Sequence, residues 1–266
     1  MTAAPARILA VANQKGGVGK TTTAINIGTA MAQAGLRCLL VDLDPQGNAS
    51  TGLNSPSESR ELTTYDALSG ETDMASVIVE TGIPDFDLAP ASVDLSGIDV
   101  ELVSDQQRAR RLSALLTEEG GPSTKYDLIL IDCPPSLNLL TVNAMVAANA
   151  VLVPLQCEFF ALEGLSQLLS TVRHIQQTLN PSLRIDGIAL TMFDRRNRLS
   201  TQVADDVRQN LGGIVYDTVI PRNVRLSEAP SHALPALIYD PNCAGSRAYR
   251  NLAEEILGRT KKSSAA

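Results

Sequence analysis

Two lysines flank a glycine-rich turn in the stretch ANQKGGVGKTTTAIN, residues 12–26. Gly16, Gly17 and Gly19 let successive backbone N–H groups curl around an anion, and a helix starting there adds positive potential at its N-terminus. Lys20 is then placed to reach the outer phosphates of a nucleoside triphosphate, and the Thr21 hydroxyl to reach Mg²⁺. The pattern G-x-x-x-x-G-K-[ST] is met only in part, because Gln14 stands where its first glycine belongs and Lys15 follows. Lys15 is a second cation at the mouth of a loop that needs one. Two readings stay open for it: a lysine pointing into solvent, or a charge lent in trans to a phosphate held by another subunit.

Three carboxylates stand at the ends of apolar runs. Asp42 and Asp44 close RCLLVDLD, and two residues apart on a strand they point the same way. They are either a solvated pair or part of a ligand site at the carboxyl edge of a sheet. Asp132 follows LILI, and a buried carboxylate needs a partner or a metal. It suits a carboxylate that reaches Mg²⁺ through water. No glutamate comes next, since the chain runs Asp132-Cys133-Pro134-Pro135. Without that base, slow unassisted turnover is expected. Pro221-Arg222-Asn223, after another strand-like run, reads on its own as a turn.

The charge is unevenly spread. The net charge is −7, yet residues 195–262 hold 11 Lys+Arg against 7 Asp+Glu, and residues 1–194 hold 11 against 22. Arg195, Arg196 and Arg198 fall in one loop, Arg222 and Arg225 in another, and Arg247 and Arg250 share a face of the last helix. Tryptophan is absent and aromatics make up 3%, so stacking on single strands is a poor fit. Duplex phosphate contact without base readout fits better. It should be weak on one acidic chain and much stronger on two copies side by side. Lys261 and Lys262 read as an ordinary solvated pair.

The elements that must position these residues alternate. Strands are expected at ARILAVAN, RCLLVDLD, DFDLAPAS, YDLILIDCPP, AVLVPLQC, RIDGIALTMFD and IVYDTVIPRN. Between them run helical patterns, the main ones over 20–35, 99–119, 137–149, 162–180, 201–213 and 244–260; 45–60 reads as loop, and 62–70 and 73–81 as short helices. Apolar strands alternating with helices predict an α/β fold, a doubly wound, mostly parallel sheet flanked by helices. No repeat or linker divides the 266 residues, so they are expected to form one domain ending in a polar, disordered tail over 259–266. No run is long enough to span a bilayer. Cys38, Cys133, Cys157 and Cys243 form no C-x-x-C pair and read as incidental thiols. A cytoplasmic location is expected.

Taken together, the boxes KGGVGKTT, LLVDLDPQGNAS, YDLILIDCPPS, TMFDRR and PRNVRLSEAPSHALP resemble, in order and over roughly residues 7–257, the ParA/Soj chromosome-partitioning ATPases of the deviant Walker A (ParA/MinD) family. The resemblance implies a P-loop fold binding ATP and Mg²⁺ through Lys15, Gly16, Gly17, Val18, Gly19, Lys20, Thr21 and Thr22. It implies that Lys15 crosses to the partner's nucleotide in an ATP-sandwich homodimer. It gives Asp44 the orientation of the attacking water, and Asp132, Thr21 and Asp42 the neighbourhood of the metal. Pro221 and Asn223 are placed at the adenine, with Met192 near it. The implied partners are nonspecific double-stranded DNA on the nucleoid and a ParB/Spo0J-type protein that stimulates hydrolysis.

Other readings compete. A MinD-like positioning ATPase needs a terminal amphipathic helix, and GRTKKSSAA offers no apolar face. A small-substrate P-loop enzyme leaves the arginines without a task. An iron–sulfur reductase would need paired cysteines, and a non-catalytic switch would show no turnover.

Overall fold

The computed structural model describes residues 5–159 and 161–264. Strand β1 (Arg7–Val11) feeds the glycine loop and α1 (Lys20–Gln33), which returns to β2 (Cys38–Asp42). Three short helices follow, α2 (Asn48–Gly52), α3 (Thr64–Ser69) and α4 (Met74–Val77), then a hairpin of β3 (Val79–Ile83) and β4 (Phe86–Ala89). Helices α5 (Ile98–Glu101) and α6 (Arg111–Thr117) lead to β5 (Leu128–Asp132). The second half alternates α7 (Leu139–Ala147), β6 (Ala150–Gln156), α8 (Ala161–Thr178), β7 (Arg184–Phe193), α9 (Arg198–Leu211) and β8 (Val215–Pro221). It closes with α10 (Val224–Glu228), α11 (Ala236–Tyr239) and α12 (Ala244–Ser264).

Among the described residues the strands form one sheet in the order β3-β4-β2-β5-β1-β6-β7-β8. Every pairing is parallel except that of β3 with β4. Both faces are buried, which explains the nearly unbroken apolar runs. Ile8, Ala10, Leu39, Val41, Ile129 and Ile131 enter one core, which α7, α8 and α9 cover with Leu140, Ala144, Leu165, Leu168, Val203 and Val207. Leu9, Val11, Cys38, Leu40, Leu128 and Leu130 enter the other, covered by Ile27 and Met31 of α1 and Tyr249, Leu252 and Ile256 of α12. Each such leucine or isoleucine contributes about 1.5–3 kcal/mol by leaving water. Thus the expected doubly wound α/β sheet is present.

The departures are local. The stretch read as loop contains α2, which is too short to show helical periodicity. The segment read as one helix over 73–81 stops at Val77 and continues as edge strand β3, whose largely exposed positions give no apolar run. The helix read over 99–119 is broken between α5 and α6. Helix α12 runs to Ser264, so the backbone is helical across most of the expected tail; residues 265 and 266 lie outside the described residues. No described helix is long and apolar enough to cross a membrane.

Candidate active site

Chain direction decides where the site lies. From β1 the chain moves by α1 to β2 on one side, returns to β5 at its flank, and passes through α7 to β6 on the other side. The carboxyl ends of β1, β2 and β5 therefore meet at a switch point, where open α/β sheets bind ligands. Register makes the meeting level: Val11 and Asp42 both pair with Asp132.

The glycine loop rises from this edge as an open anion cradle. Gly17 and Gly19 have φ of 73° and 87°, where a side chain would be strained. No side chain caps the N-terminus of α1, so its first N–H groups face the cavity. The loop is braced from outside: the Thr191 hydroxyl donates to the Val18 carbonyl (2.8 Å), and the Lys15 N–H donates to Asn13 Oδ1 (3.0 Å). Lys20 is 6% exposed, and its Nζ donates to the Lys15 carbonyl (3.3 Å). Burial lowers its pKa, while Asp132, Cys133 and Asp44 pull it back up.

Asp132 is fully buried, and neither of its oxygens has a hydrogen-bond partner. Burial, and next the charge of Asp42, push its pKa well above the carboxylate range; the Thr21 hydroxyl lowers it without reaching bonding geometry. An unsatisfied carboxylate at the foot of an anion cradle fits a cation bound between them.

Asp42 differs. Its Oδ1 accepts from the Asp44 N–H (3.1 Å), and its Oδ2 accepts from the N–H (2.9 Å) and hydroxyl (2.7 Å) of Ser50. Burial raises its pKa to about 6 against these hydrogen bonds. With both oxygens engaged, Asp42 anchors α2, and that engagement narrows the metal role expected for it. Asp44 lines the cavity, and its Oδ1 accepts from the Gln46 N–H (3.0 Å).

The cradle opens into a cavity of about 510 Å³, bordered by Thr21, Thr22, Asp44 and, across it, Pro230 and Leu234. A second cavity of about 300 Å³ adjoins it, sharing Gly19, Thr22, Met192, Leu226 and Pro230, and is lined further by Pro221, Asn223 and Tyr249. These volumes suit a cofactor-sized ligand with separate phosphate and base ends. Met192 takes φ of 50° at the end of β7, which sets it between the two cavities. Asn223 caps α10, its Oδ1 accepting from the Arg225 N–H (2.9 Å), so its amide donors are what it can offer a base. Tyr249 is buried, with its hydroxyl 3.1 Å from that of Thr23.

Lys15 lies on the rim. Its Nζ forms an ion pair with Glu158 Oε2 (2.7 Å), both side chains more than a third exposed.

The arginines fall into two groups. Arg222 follows β8 beside the loop after β7, its N–H donating to the Phe193 carbonyl (3.0 Å), which brings it to Arg195, Arg196 and Arg198. Arg196 is tied to Asp194 through both carboxylate oxygens (3.1 Å each). Arg195, Arg198 and Arg222 are exposed and make no side-chain ion pair or hydrogen bond among the described residues. Arg225, Arg247 and Arg250 surround the turn at 240–242: Arg225 pairs with Glu228 (2.8 Å) and Asp240 (3.5 Å), Arg250 donates to the Pro241 carbonyl (2.8 Å), and Arg247 to that of Asn242.

A family model described as an AAA domain matches residues 6–185. Over 98% of its length the chain is 57% identical to the chromosome partitioning protein ParA of Caulobacter vibrioides, 97% of which is covered. The chain belongs to the ParA/Soj family of chromosome-partitioning ATPases. The Bacillus subtilis sporulation initiation inhibitor protein Soj is 49% identical over 94% of this chain and 98% of its own. Among solved structures, one of a Mycobacterium smegmatis protein named cobyrinic acid a,c-diamide synthase, with bound ADP and magnesium, superposes with a TM-score of 0.83 at 35% identity, covering 97% of this chain and 96% of that one.

Several residues that shape this candidate site have roles that no spacing in the sequence shows. Asn13, Thr191 and Tyr249 act through contacts between remote segments. Glu158 sits in a connection with no motif, and Ser50 within a stretch read as loop.

Proposed function

We propose that this chromosome-partitioning ATPase binds Mg²⁺–ATP in the paired cavities and, as an ATP-bound homodimer, holds nonspecific double-stranded DNA on the cytoplasmic nucleoid. A ParB/Spo0J-type protein then stimulates hydrolysis and frees it. The observation that carries the nucleotide reading is the buried, unpartnered carboxylate of Asp132 beneath an uncapped helix N-terminus. The loop N–H groups from Gly16 to Thr22 and the Lys20 ammonium hold phosphate oxygens, and Thr21 with Asp132 would hold the metal. Bound Mg²⁺ neutralises charge building on the transferred phosphoryl group. Asp44, at the cavity wall, orients the attacking water. Pro221, Asn223 and Met192 receive the adenine.

Lys15 crosses to the partner's nucleotide in this scheme. It must first leave Glu158, an exposed pair worth roughly 0–1 kcal/mol, which a phosphate readily outcompetes. Slow basal turnover follows from the absence of a glutamate after Asp132. For DNA, the unpaired guanidinium groups of Arg195, Arg198 and Arg222 supply phosphate contacts, and two copies double them. Sedimentation with ADP, ATP and a slowly hydrolysed analogue, with and without duplex DNA, tests the scheme: a monomer under every nucleotide would overturn it.

A small-substrate enzyme is the second reading, favoured by the 35% identical neighbour named as a synthase. The 57% identity to a partition protein and the free arginines outweigh it. ATP turnover that depends on a small organic acid and ignores duplex DNA would reverse that order.

A further inference from the structure

The connection from β2 to α2 carries Asp44 and has to hold its carboxylate in place without a strand around it. The chain turns sharply there: the Gly47 N–H donates to the Asp44 carbonyl (2.8 Å), and Gly47 takes φ of 59°. From the protein side, Asp42 grips Ser50, whose hydroxyl also accepts from the Ala91 N–H (3.0 Å). From the solvent side the turn is gripped by Arg60, a residue of the segment SPSESR.

The Arg60 guanidinium makes five hydrogen bonds to four acceptor atoms. Nε and Nη2 donate to the Ser55 carbonyl (2.9 and 2.6 Å), Nη1 to the Ala91 carbonyl (2.8 Å), and Nη2 also to the Gly47 carbonyl (3.3 Å) and the Thr51 hydroxyl (2.9 Å). None of these acceptors is a carboxylate. Arg60 is thus used for its rigid fork of donors, tying the turn after Asp44, the end of α2 and the segment after β4 into one unit. Contact with Gly47 is so close that a Cβ there would collide with the guanidinium.

We infer that Arg60 is a positioning residue for the hydrolytic step, holding the Asp44 turn at the geometry that water attack needs. The inference rests on the reading of Asp44 as the group that orients the water. Arg60 itself lines neither cavity beside the glycine loop, so it acts on nucleotide only through the turn. Loss of the clamp should lower turnover more than binding, because a displacement of about 1 Å can reduce a rate about 10²-fold.

The test compares Arg60→Ala, Arg60→Lys and Gly47→Ala with Asp44→Ala, measuring radiolabelled phosphate release with Mg²⁺–ATP and sheared duplex DNA, together with thermal unfolding. Expected is a fall in kcat of about 10- to 100-fold in Arg60→Ala, with KM changed less than about twofold. Arg60→Lys should not rescue it, since one ammonium cannot span acceptors on four residues. Gly47→Ala, which strains the turn at φ of 59° as well as displacing the guanidinium, should lower kcat at least as much. Unchanged kcat in the Arg60 variants while Asp44→Ala is inactive would overturn the positioning role alone. An active Asp44→Ala would instead overturn the reading of Asp44. A matched rise in KM and fall in unfolding temperature would assign Arg60 to the fold and overturn the inference as well.

Discussion

Lys20 and Asp132 are 6% and 0% exposed, held by a parallel register that puts three strand ends level; Arg195 and Arg222 stand in solvent on two neighbouring connections, and Arg198, expected in the same loop as Arg195, opens α9 beside them because the Asn197 cap starts the helix there. One region stores electrostatic tension, with an acid deprived of partners and an ammonium stripped of water. The other stores none, and in Arg196 it is already part-neutralised by Asp194. The contrast teaches which ligand each suits. A small, highly charged ligand at a fixed point justifies buried, preorganised charge. A long uniform polyanion needs only net positive groups within reach, and its affinity is governed by salt.

The largest effect should come from the buried region. Lys20→Ala should reduce ATP hydrolysis by at least about 10³-fold, as does loss of other cations that contact transferring phosphoryl groups. Phosphate release checks this, and near-normal turnover would break the assignment of the loop. Asp132→Asn should abolish Mg²⁺-dependent nucleotide binding yet stabilise the nucleotide-free protein by about 1–3 kcal/mol, since it removes a buried acid whose ionisation no hydrogen bond supports. Thermal unfolding without ligand reads that gain directly; a loss of stability would mean that Asp132 is partnered.

Next in size is the exposed region. Arg195→Glu should leave ATP binding intact and abolish DNA retention in a low-salt shift assay, with unchanged retention counting against the surface. Truncating Arg195, Arg198 or Arg222 to alanine should each flatten the salt dependence by about one phosphate contact per protomer. Arg196→Ala should change it less, because Asp194 already holds that charge.

The pH dependence sharpens the same contrast. Asp42, with its pKa raised to about 6 by burial, and Asp132, raised well above the carboxylate range by burial and by the charge of Asp42, favour the folded state most when protonated. Their contribution is complete below the ordinary Asp value and is lost as pH rises through the folded value. Nucleotide-free protein should therefore lose stability as pH rises from about 4 through about 6. Asp105 and Asp127, held below the usual range chiefly by Arg111 and Arg37, act in the opposite sense only at lower pH, so the windows separate. A flat profile between pH 4 and 7 would contradict the buried acids. The smallest effect is Tyr249→Phe, which removes the 3.1 Å contact with Thr23 and should cost about 0.5–1.5 kcal/mol of stability in thermal unfolding.

Much of this was legible before any coordinates. The apolar runs ending at Val11, Asp42 and Asp132 could only be strands covered on both faces, and a Gly-Lys-Thr triplet after the first of them located the phosphate site. The exposed edge strand β3 was missed because neither face of it is buried deeply enough to impose a period of two. The short α2 shows no periodicity of its own, and the contacts that Ser50 and Thr51 make go to Asp42 and Arg60 outside it. Asp42 and Asp44 looked equivalent at two residues' spacing; only their neighbours separate them, one saturated by Ser50 and the other facing the cavity.

Local chemistry therefore set the residue types: small residues where backbone must approach a phosphate, a lysine and a threonine after them, carboxylates at strand ends, arginines in the last quarter. These are properties of a few consecutive residues, and sequence carries them completely. Which carboxylate stays without a hydrogen-bond partner, which lysine rests on Glu158, which asparagine has its acceptor already taken, and which arginine ties down a turn instead of facing solvent were decided only by packing. Each depends on a contact between segments tens to hundreds of residues apart, where burial and hydrogen-bond saturation, not residue identity, fix what an ionisable group can still do.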